Sequence, residues 1–316
     1  MNNFARFLNT IPQIDDFLTV ALSLDIADLP KREFDSKFNI HSALVKCEKG
    51  VLDGIENPTS TSLSFRDKKY SNDTKRLELR KQIVDELFTK YLCTNDDNII
   101  LGKGGAIPKN VLKEKKAFVL IGLPASGKSS VAVKISKTFG AIILDSDFAK
   151  RKLPEYEQYD WGASLVNKES SMIVFGDKIN TGFSSLFEKC VDNNYNIVIP
   201  KIGAEPDDII PYCKSLNEAG YEVHLTLVYL PKQKATIRAL YRFINTGRYV
   251  PLTLIFDVYG NNPALTYFKL KNSNPEYINS FGVVNTDVSN RQAFFNTDLQ
   301  GNNPAKMYTR IKNVLI

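Results

Sequence analysis

The residues best suited to chemistry sit in one octapeptide, Gly122-Leu-Pro-Ala125-Ser126-Gly127-Lys128-Ser129, which matches the pattern GxxxxGK[ST]. A buried apolar run, Ala117 to Ile121, precedes it and a helical pattern from Ser129 to Phe139 follows, which is the context this motif requires. Glycines let such a loop curl until the backbone N–H groups and the helix N-terminus face phosphate oxygens. That assigns Gly122, Ala125, Ser126, Gly127, Lys128, Ser129 and Ser130 to phosphate binding. Lys128 would neutralise the β and γ oxygens and the Ser129 hydroxyl would ligate Mg²⁺. The cofactor expected is a nucleoside triphosphate, ATP or GTP, with Mg²⁺.

Other residues narrow the reaction. GTPase-type base reading would need Asn-Lys-x-Asp, and Asn167-Lys168-Glu169-Ser170 lacks the final Asp. A motor or transporter ATPase would end a strand in Asp or Asp-Glu, whereas the third apolar run ends Ile197-Val-Ile-Pro200. A small kinase remains, in which a carboxylate deprotonates an acceptor hydroxyl while cations stabilise the moving phosphoryl group. Asp145 and Asp147 follow the run Ile142-Ile-Leu144 directly and so emerge at the carboxyl edge of the sheet, where ligands of open α/β sheets bind. The competing use of Asp147 is as the cap of a short helix from Phe148 to Lys152. Arg238 and Arg242, four apart, share a helix face, and Gly247 ends that helix so that Arg248 turns back toward the same edge. Three cations there would clamp transferring phosphate; the plainer reading is a solvated basic helix.

The elements that must position these groups alternate. Apolar runs Ala117 to Ile121, Ala141 to Leu144, Tyr195 to Ile199, Tyr221 to Leu230 and Phe281 to Val284 read as strands. Ser129 to Phe139, Lys168 to Asp192, Asp207 to Ala219 and Pro231 to Thr246 read as helices between them. Buried strands alternating with helices predict an α/β fold, a P-loop kinase domain whose parallel sheet is wrapped by helices. Upstream, Ser71-Asn-Asp-Thr74 offers cap oxygens to an amphipathic helix of about Thr74 to Leu92. Further upstream, short apolar clusters (Phe4, Phe7, Leu8; Phe17, Leu18, Val20, Leu22, Leu24) end in the loop-like Asn57 to Ser62. This predicts a small helical N-terminal unit over residues 1–67 and a kinase domain over 68–316. There is no internal repeat.

Composition excludes other classes. The 316 residues, 43% hydrophobic and 11% aromatic, suffice for a full core with a smaller accessory unit. A net charge of +6, from 41 Lys and Arg against 35 Asp and Glu, falls short of a nucleic-acid-binding surface, so no nucleic acid is expected. The longest apolar run, Ala117 to Ala125, is too short for a bilayer, and Asp15 and Asp16 break the only leader-like stretch. Cys47, Cys93, Cys190 and Cys213 lie far apart, and with only two histidines they support neither a zinc cluster nor a disulfide framework. A reducing cytoplasm is the expected setting. His224 lies in an apolar strand and reads as a core residue; His41 is remote from the motifs. Tyr156, Tyr159 and Trp161 could stack on a substrate base or pin a loop.

Gly122 to Ser130, Leu144-Asp-Ser-Asp147, Asn196-Ile-Val-Ile199, Ala219-Gly-Tyr-Glu-Val223 and Arg238 to Pro251 in combination resemble the zeta-toxin family of kinases, over about Tyr70 to Val284. Tyr70 to Val84 is similar to the helix that opens its longer members. The resemblance implies an ATP-dependent toxin that phosphorylates the amino-sugar 3′-hydroxyl of UDP-N-acetylglucosamine or a related nucleotide; some effector relatives phosphorylate NAD instead. Carried over, Lys128 holds the γ-phosphate, Asp147 is the general base, and Arg242 and Arg248 stabilise the transferred phosphate. Where the family ends its third strand with a substrate-binding Glu, this chain has Pro200-Lys201-Ile202-Gly203. Asp145, Glu169 and Arg238 are the candidates for substrate contact; Glu169, Asp177 and Lys178 are the possible replacements for the missing carboxylate, and the plainer reading of each of these three is a solvated helix residue. The resemblance further implies a helical antitoxin partner, or an equivalent in cis for which residues 1–67 are the candidate, and action in the cytoplasm, that of a target cell for a delivered effector. A rival from another class is a nucleotide-binding module that has lost transfer.

Overall fold

The computed structural model describes residues 8–25, 29, 39–177, 182–289 and 292–311. Phe4, Phe7 and Lys178, singled out above, lie outside the described residues. Seven strands among them form one sheet: β1 (Lys116–Ile121), β2 (Ile142–Ile143), β3 (Ile197–Lys201), β4 (Glu222–Tyr229), β5 (Ser280–Asn285), β6 (Phe295–Gln300) and β7 (Thr309–Arg310). Their order is β2-β3-β1-β4-β5-β6-β7. β1 is buried from Ala117 to Ile121 because it lies inside the sheet, parallel to β3 on one side and β4 on the other. The strands from β2 to β5 are all parallel, as the alternating pattern predicts. The wholly parallel sheet is corrected at its far edge, where β6 runs antiparallel to β5 and β7 adds beyond it. β6 is half-exposed and polar (Phe295-Asn-Thr-Asp-Leu-Gln300), so it carries no apolar run to read.

Helices cover both faces: α1 (Ile11–Asp16), α2 (Ile40–Glu56), α3 (Asp73–Thr89), α4 (Lys128–Phe139), α5 (Ser146–Lys152), α6 (Glu155–Gln158), α7 (Gly162–Leu165), α8 (Asn167–Phe175), α9 (Leu186–Asp192), α10 (Ile210–Glu218), α11 (Lys232–Thr246) and α12 (Asn262–Ser273). The single helix expected from Lys168 to Asp192 is two: α8 stops at Gly176, and α9 starts afresh on a capping box of Ser185 and Glu188. One apolar core surrounds the sheet. A second joins Ile14, Phe17, Leu18, Leu44, Cys47 and Val51 of the N-terminal segment to Leu240, Phe243 and Ile244 of α11 and to Tyr249. Leu123 of the phosphate loop belongs to that second core.

Candidate functional site

The loop after β1 is held by its neighbours in the sheet. The Gly122 N–H donates to the Ile202 carbonyl at 3.0 Å, and a Cβ on Gly122 would lie 2.4 Å from the Val228 carbonyl oxygen, so only glycine lets the chain leave the sheet here. The Thr286 hydroxyl lies 2.7 Å from the Ser126 carbonyl oxygen and 3.0 Å from that of Tyr229, tying the loop to the ends of β4 and β5. Gly127, with φ of 93°, opens α4. Lys128 Nζ donates to the Gly122 and Leu123 carbonyls, both at 2.7 Å, so its ammonium arches over the loop. Burial pushes Lys128 down to about 8, against the charges of Asp145 and Asp147 and with that of Arg242. Ser129 and Ser130 are exposed on the first turn of α4, while the Ser126 hydroxyl is buried with no hydrogen-bond partner among the described residues.

Beside this loop stand the two carboxylates. The Leu144 N–H donates to the Val198 carbonyl at 2.8 Å, so Asp145 leaves from the carboxyl edge of the sheet. Asp145 is the cap of α5: its Oδ1 accepts the Asp147 N–H at 2.9 Å. This corrects the alternative that Asp147 is the cap, and it frees the Asp147 carboxylate, 49% exposed and 2.9 Å from Lys150 Nζ. Burial, and then the charge of Asp147, raise Asp145 to about 6. Lys150 foremost, with Arg151 and Arg242, holds Asp147 well below the usual carboxylate range. Arg242 thus acts on both Lys128 and Asp147, and its Nε is buried without a hydrogen-bond partner among the described residues.

The other predicted residues divide. Arg248 follows the helix-ending Gly247; its guanidinium pairs with Asp97 and lies 5.6 Å from the Tyr156 ring. Arg238 donates to the Thr286 carbonyl at 2.9 Å, bracing the segment that pins the phosphate loop. Glu169 is corrected on two counts. It is neither a solvated helix residue nor free for substrate, because it is fully buried and its oxygens accept from Arg76 (2.7 and 2.8 Å), Arg80 (2.7 Å) and Thr59 (2.6 Å). Burial alone would raise it, but the Arg76 bonds and the two guanidinium charges bring it down to about 2. Asp177 is exposed just beyond the end of α8. Tyr156 and Tyr159 line a cleft of about 290 Å³ with Asp160, Thr246 and Arg248. Trp161 instead packs on α2, where a Cβ at Gly50 would lie 2.2 Å from its ring. His224 stacks on Phe118 at 5.1 Å with its Nδ1 2.7 Å from the Ser280 hydroxyl oxygen, and burial brings it down to about 4. His41 pairs with Asp15. None of the four cysteines is in a disulfide. Among the described residues, no group of three or more His, Cys, Asp or Glu could hold a metal ion, and no helix is long and apolar enough to cross a membrane.

Sequence reasoning missed two groups that hold the site. Arg76 also binds Glu155, at 2.7 and 3.1 Å, so one buried guanidinium joins α3 to α6 and α8. Its signal was its place on the apolar stripe with Leu79, Ile83 and Leu87, where a charge must find a buried partner. Lys152, the last residue of α5, is buried against Glu86 (2.7 Å) and the carbonyls of Ile100 (2.8 Å) and Gly104 (2.7 Å), anchoring the helix that carries Asp147.

The chain is 25% identical over 166 residues to Toxin zeta of Enterococcus hirae, covering 51% of this chain and 54% of that protein. Toxin zeta of Streptococcus pyogenes gives 25% over 164 residues, 51% and 53%. The chain thus spans about half the length of the curated relatives it matches. Among solved structures, one from the PezAT chromosomal toxin-antitoxin system of Streptococcus pneumoniae aligns with TM-score 0.46 and 18% identity, over 63% of this chain and 78% of that one. The AvrRxo1-ORF1:-ORF2 complex with ATP aligns with TM-score 0.46 and 16% identity, over 77% of each chain. The zeta toxin family model matches residues 104–279, a stretch that begins in the glycine-rich turn held by Lys152 and ends where β5 begins. With more than half of its length matched, and with the phosphate loop, the carboxylate pair and the arginine helix all inside the match, the chain belongs to the zeta toxin family.

Proposed function

We propose that the protein is an ATP-dependent kinase with toxin activity, transferring the γ-phosphoryl group to a hydroxyl of a nucleotide-containing metabolite. The observation that carries this reading is that the charges of Lys128, Asp147 and Arg242, from three separate elements, act on one another at one edge of the sheet. In this reading the loop from Gly122 to Ser130 binds the triphosphate and Lys128 holds the γ-phosphate. Asp147, ionised and half-exposed, takes the proton of the acceptor hydroxyl. Arg242, with an Nε that no group among the described residues satisfies, and Arg248, once released from Asp97, bind the oxygens of the transferring group. The exposed Ser129 hydroxyl, with the Asp145 carboxylate whose charge reaches Lys128 of the same loop, would be the protein oxygens offered to Mg²⁺, which keeps several waters and rides on phosphates. Bound there, the ion would neutralise phosphate charge. Arg238 is better read as a brace than as a substrate contact, given its bond to the Thr286 carbonyl.

UDP-N-acetylglucosamine is the first acceptor to try, on family grounds; NAD is the second, favoured by Lys201 in place of a carboxylate at the end of β3. An antitoxin is the protein partner proposed. Incubation of the full chain with ATP and each acceptor, followed by mass spectrometry, tests the reading through a gain of one phosphate. Asp147→Asn should abolish transfer and leave ATP affinity nearly unchanged; an Asn variant as active as its parent would overturn the base assignment. Lys128→Ala should lower turnover by about three orders of magnitude or more, since electrostatic stabilisation dominates phosphoryl transfer.

A further inference from the structure

Arg248, one of the arginines assigned to the transferring phosphate, is paired with Asp97, a residue that lies ahead of the stretch 104–279 matched to the family. Asp97 sits in a single short turn, Asp96–Asn98, which Asn95 opens by accepting the Asp97 N–H on its side-chain oxygen at 3.0 Å. Two anchors fix that turn. Ile99, next after it, is fully buried in the core around the sheet, and Lys152 of α5 donates to the carbonyls of Ile100 (2.8 Å), Lys103 (3.1 Å) and Gly104 (2.7 Å). Asp97 is therefore tied to the helix that carries Asp147, whereas Arg248 stands on a long side chain in the irregular stretch after Gly247. The ion pair bridges the two sides of the site.

Asp97 has a second cation within reach. Its Oδ1 lies 3.8 Å from Arg151 Nη2, and Arg151, only 10% exposed, has no hydrogen-bond partner at Nε or Nη1 among the described residues. The charge of Arg151 acts on Asp96, Asp145 and Asp147, and that of Asp147 reaches Asp96, so the turn lies beside the carboxylate read above as the base. One carboxylate thus stands between two guanidinium groups. Phosphate and carboxylate oxygens compete for the same guanidinium donors, and a phosphate brings more charge to the contest. When a phosphate takes Arg248, Asp97 still has Arg151 beside it, so no charge is stranded.

We infer that Asp97 is a positioning residue that sets the affinity for the donor, holding Arg248 aside until the γ-phosphate of ATP displaces its carboxylate, which then turns to Arg151. This rests on the reading of Arg248 as a ligand of the transferring phosphate and adds to it the group that withholds Arg248 before the donor arrives. Binding of ATP must break this ion pair. ADP, which lacks the γ-phosphate, leaves it intact, so the contact shows itself in the difference between the two nucleotides.

The test is calorimetric titration of the full chain with a non-hydrolysable ATP analogue and with ADP, each with Mg²⁺, and thermal melting of every variant checks folding. Asp97→Asn keeps the size of the side chain and removes its charge. It should bind the analogue about 2- to 5-fold more tightly, the span of a partly exposed ion pair that no longer has to be broken, with ADP affinity unchanged. In an Arg248→Gln background the gain from Asp97→Asn should vanish, because the contact acts only through that guanidinium. A gain of the same size for ADP, or one that persists without Arg248, overturns the inference by showing general relief of charge repulsion. Unchanged binding of the analogue in Asp97→Asn also overturns it, as does weaker binding, which would make Asp97 a group that presents Arg248 to the phosphate. The reading beneath it fails separately: Arg248→Gln alone should weaken the analogue and spare ADP, and parental affinity for both would remove Arg248 from the transferring phosphate. A parent that fails to bind the analogue removes both.

Discussion

Asp145 and Asp147 show how two identical side chains, two positions apart, acquire different chemistry. Asp145 uses one oxygen to cap α5, and its desolvation and the neighbouring Asp147 charge hold its proton up to about 6; Asp147 is half-exposed with Lys150 beside it and stays ionised far below that. In the free enzyme, kcat/KM should therefore rise as pH increases through about 6, when Asp145 ionises, and fall above about 8, as Lys128 loses its proton. The same shift has a consequence for folding. A carboxyl whose folded pKa lies above its ordinary value of about 3.9 favours the native state while protonated, and that contribution is lost as pH rises through the folded value near 6. At neutral pH the Asp145 charge is accordingly a burden on stability. Asp145→Asn, which caps a helix equally well, should raise the urea midpoint at pH 7 by about 1–2 kcal/mol equivalent while reducing transfer. A lower midpoint in that variant would show that the charge is compensated in the fold by partners other than those named here.

At the scale of elements, the parts of the site legible in the sequence were those written in local patterns. The octapeptide between an apolar run and a helix, the acidic pair after the second run and Gly247 at the end of α11 each announce themselves within a few residues. What was not legible depends on pairing at long separation. Glu169 meets Thr59, 110 residues away, and Arg76, 93 away, and no local pattern distinguishes it from a surface glutamate on α8. β6 was missed because an antiparallel edge strand half open to solvent needs no apolar run. The cluster of Arg76, Arg80, Glu155 and Glu169 fixes α6 and α8 against α3, and α3 in turn holds Lys152 of α5 through Glu86. Breaking a buried pair strands a charge, so Glu169→Gln should cost about 3–5 kcal/mol by urea denaturation. Because the folded pKa of Glu169 is depressed to about 2, its contribution is complete above the ordinary value of about 4.3 and disappears as pH falls from there toward 2. The parent should lose stability over that acidic window, and the Gln variant should show a shallower loss.

For the whole molecule, the question is what the N-terminal segment does to the candidate site. Ile14, Phe17, Leu18, Leu44 and Val51 share one apolar core with Leu240, Phe243, Ile244 and Tyr249, on and just after the helix that carries Arg242, and with Leu123 of the phosphate loop. The Tyr249 hydroxyl also bonds Glu48 of α2, a carboxyl that burial holds above its ordinary range. Burying one large apolar side chain is worth about 1.5–3 kcal/mol. If the segment supplies half the cover of those four residues, its loss costs on the order of 3–6 kcal/mol, a large share of the 5–15 kcal/mol typical of a native protein. Residues 68–316 alone should therefore melt well below the full chain and bind a hydrophobic dye; an unchanged melting temperature would make the segment an independent appendage. The same contacts are the ground for proposing that residues 1–67 restrain the kinase as well as complete it. Deletion cannot separate these roles, because it removes the core along with the restraint. A point change can: Leu44→Ala loosens the packing at a cost of about 2–5 kcal/mol while leaving every site residue in place. Restraint predicts that cells expressing this variant grow more poorly than those expressing the parent at equal levels of folded protein, whereas equal or better growth would leave the segment with a structural role alone.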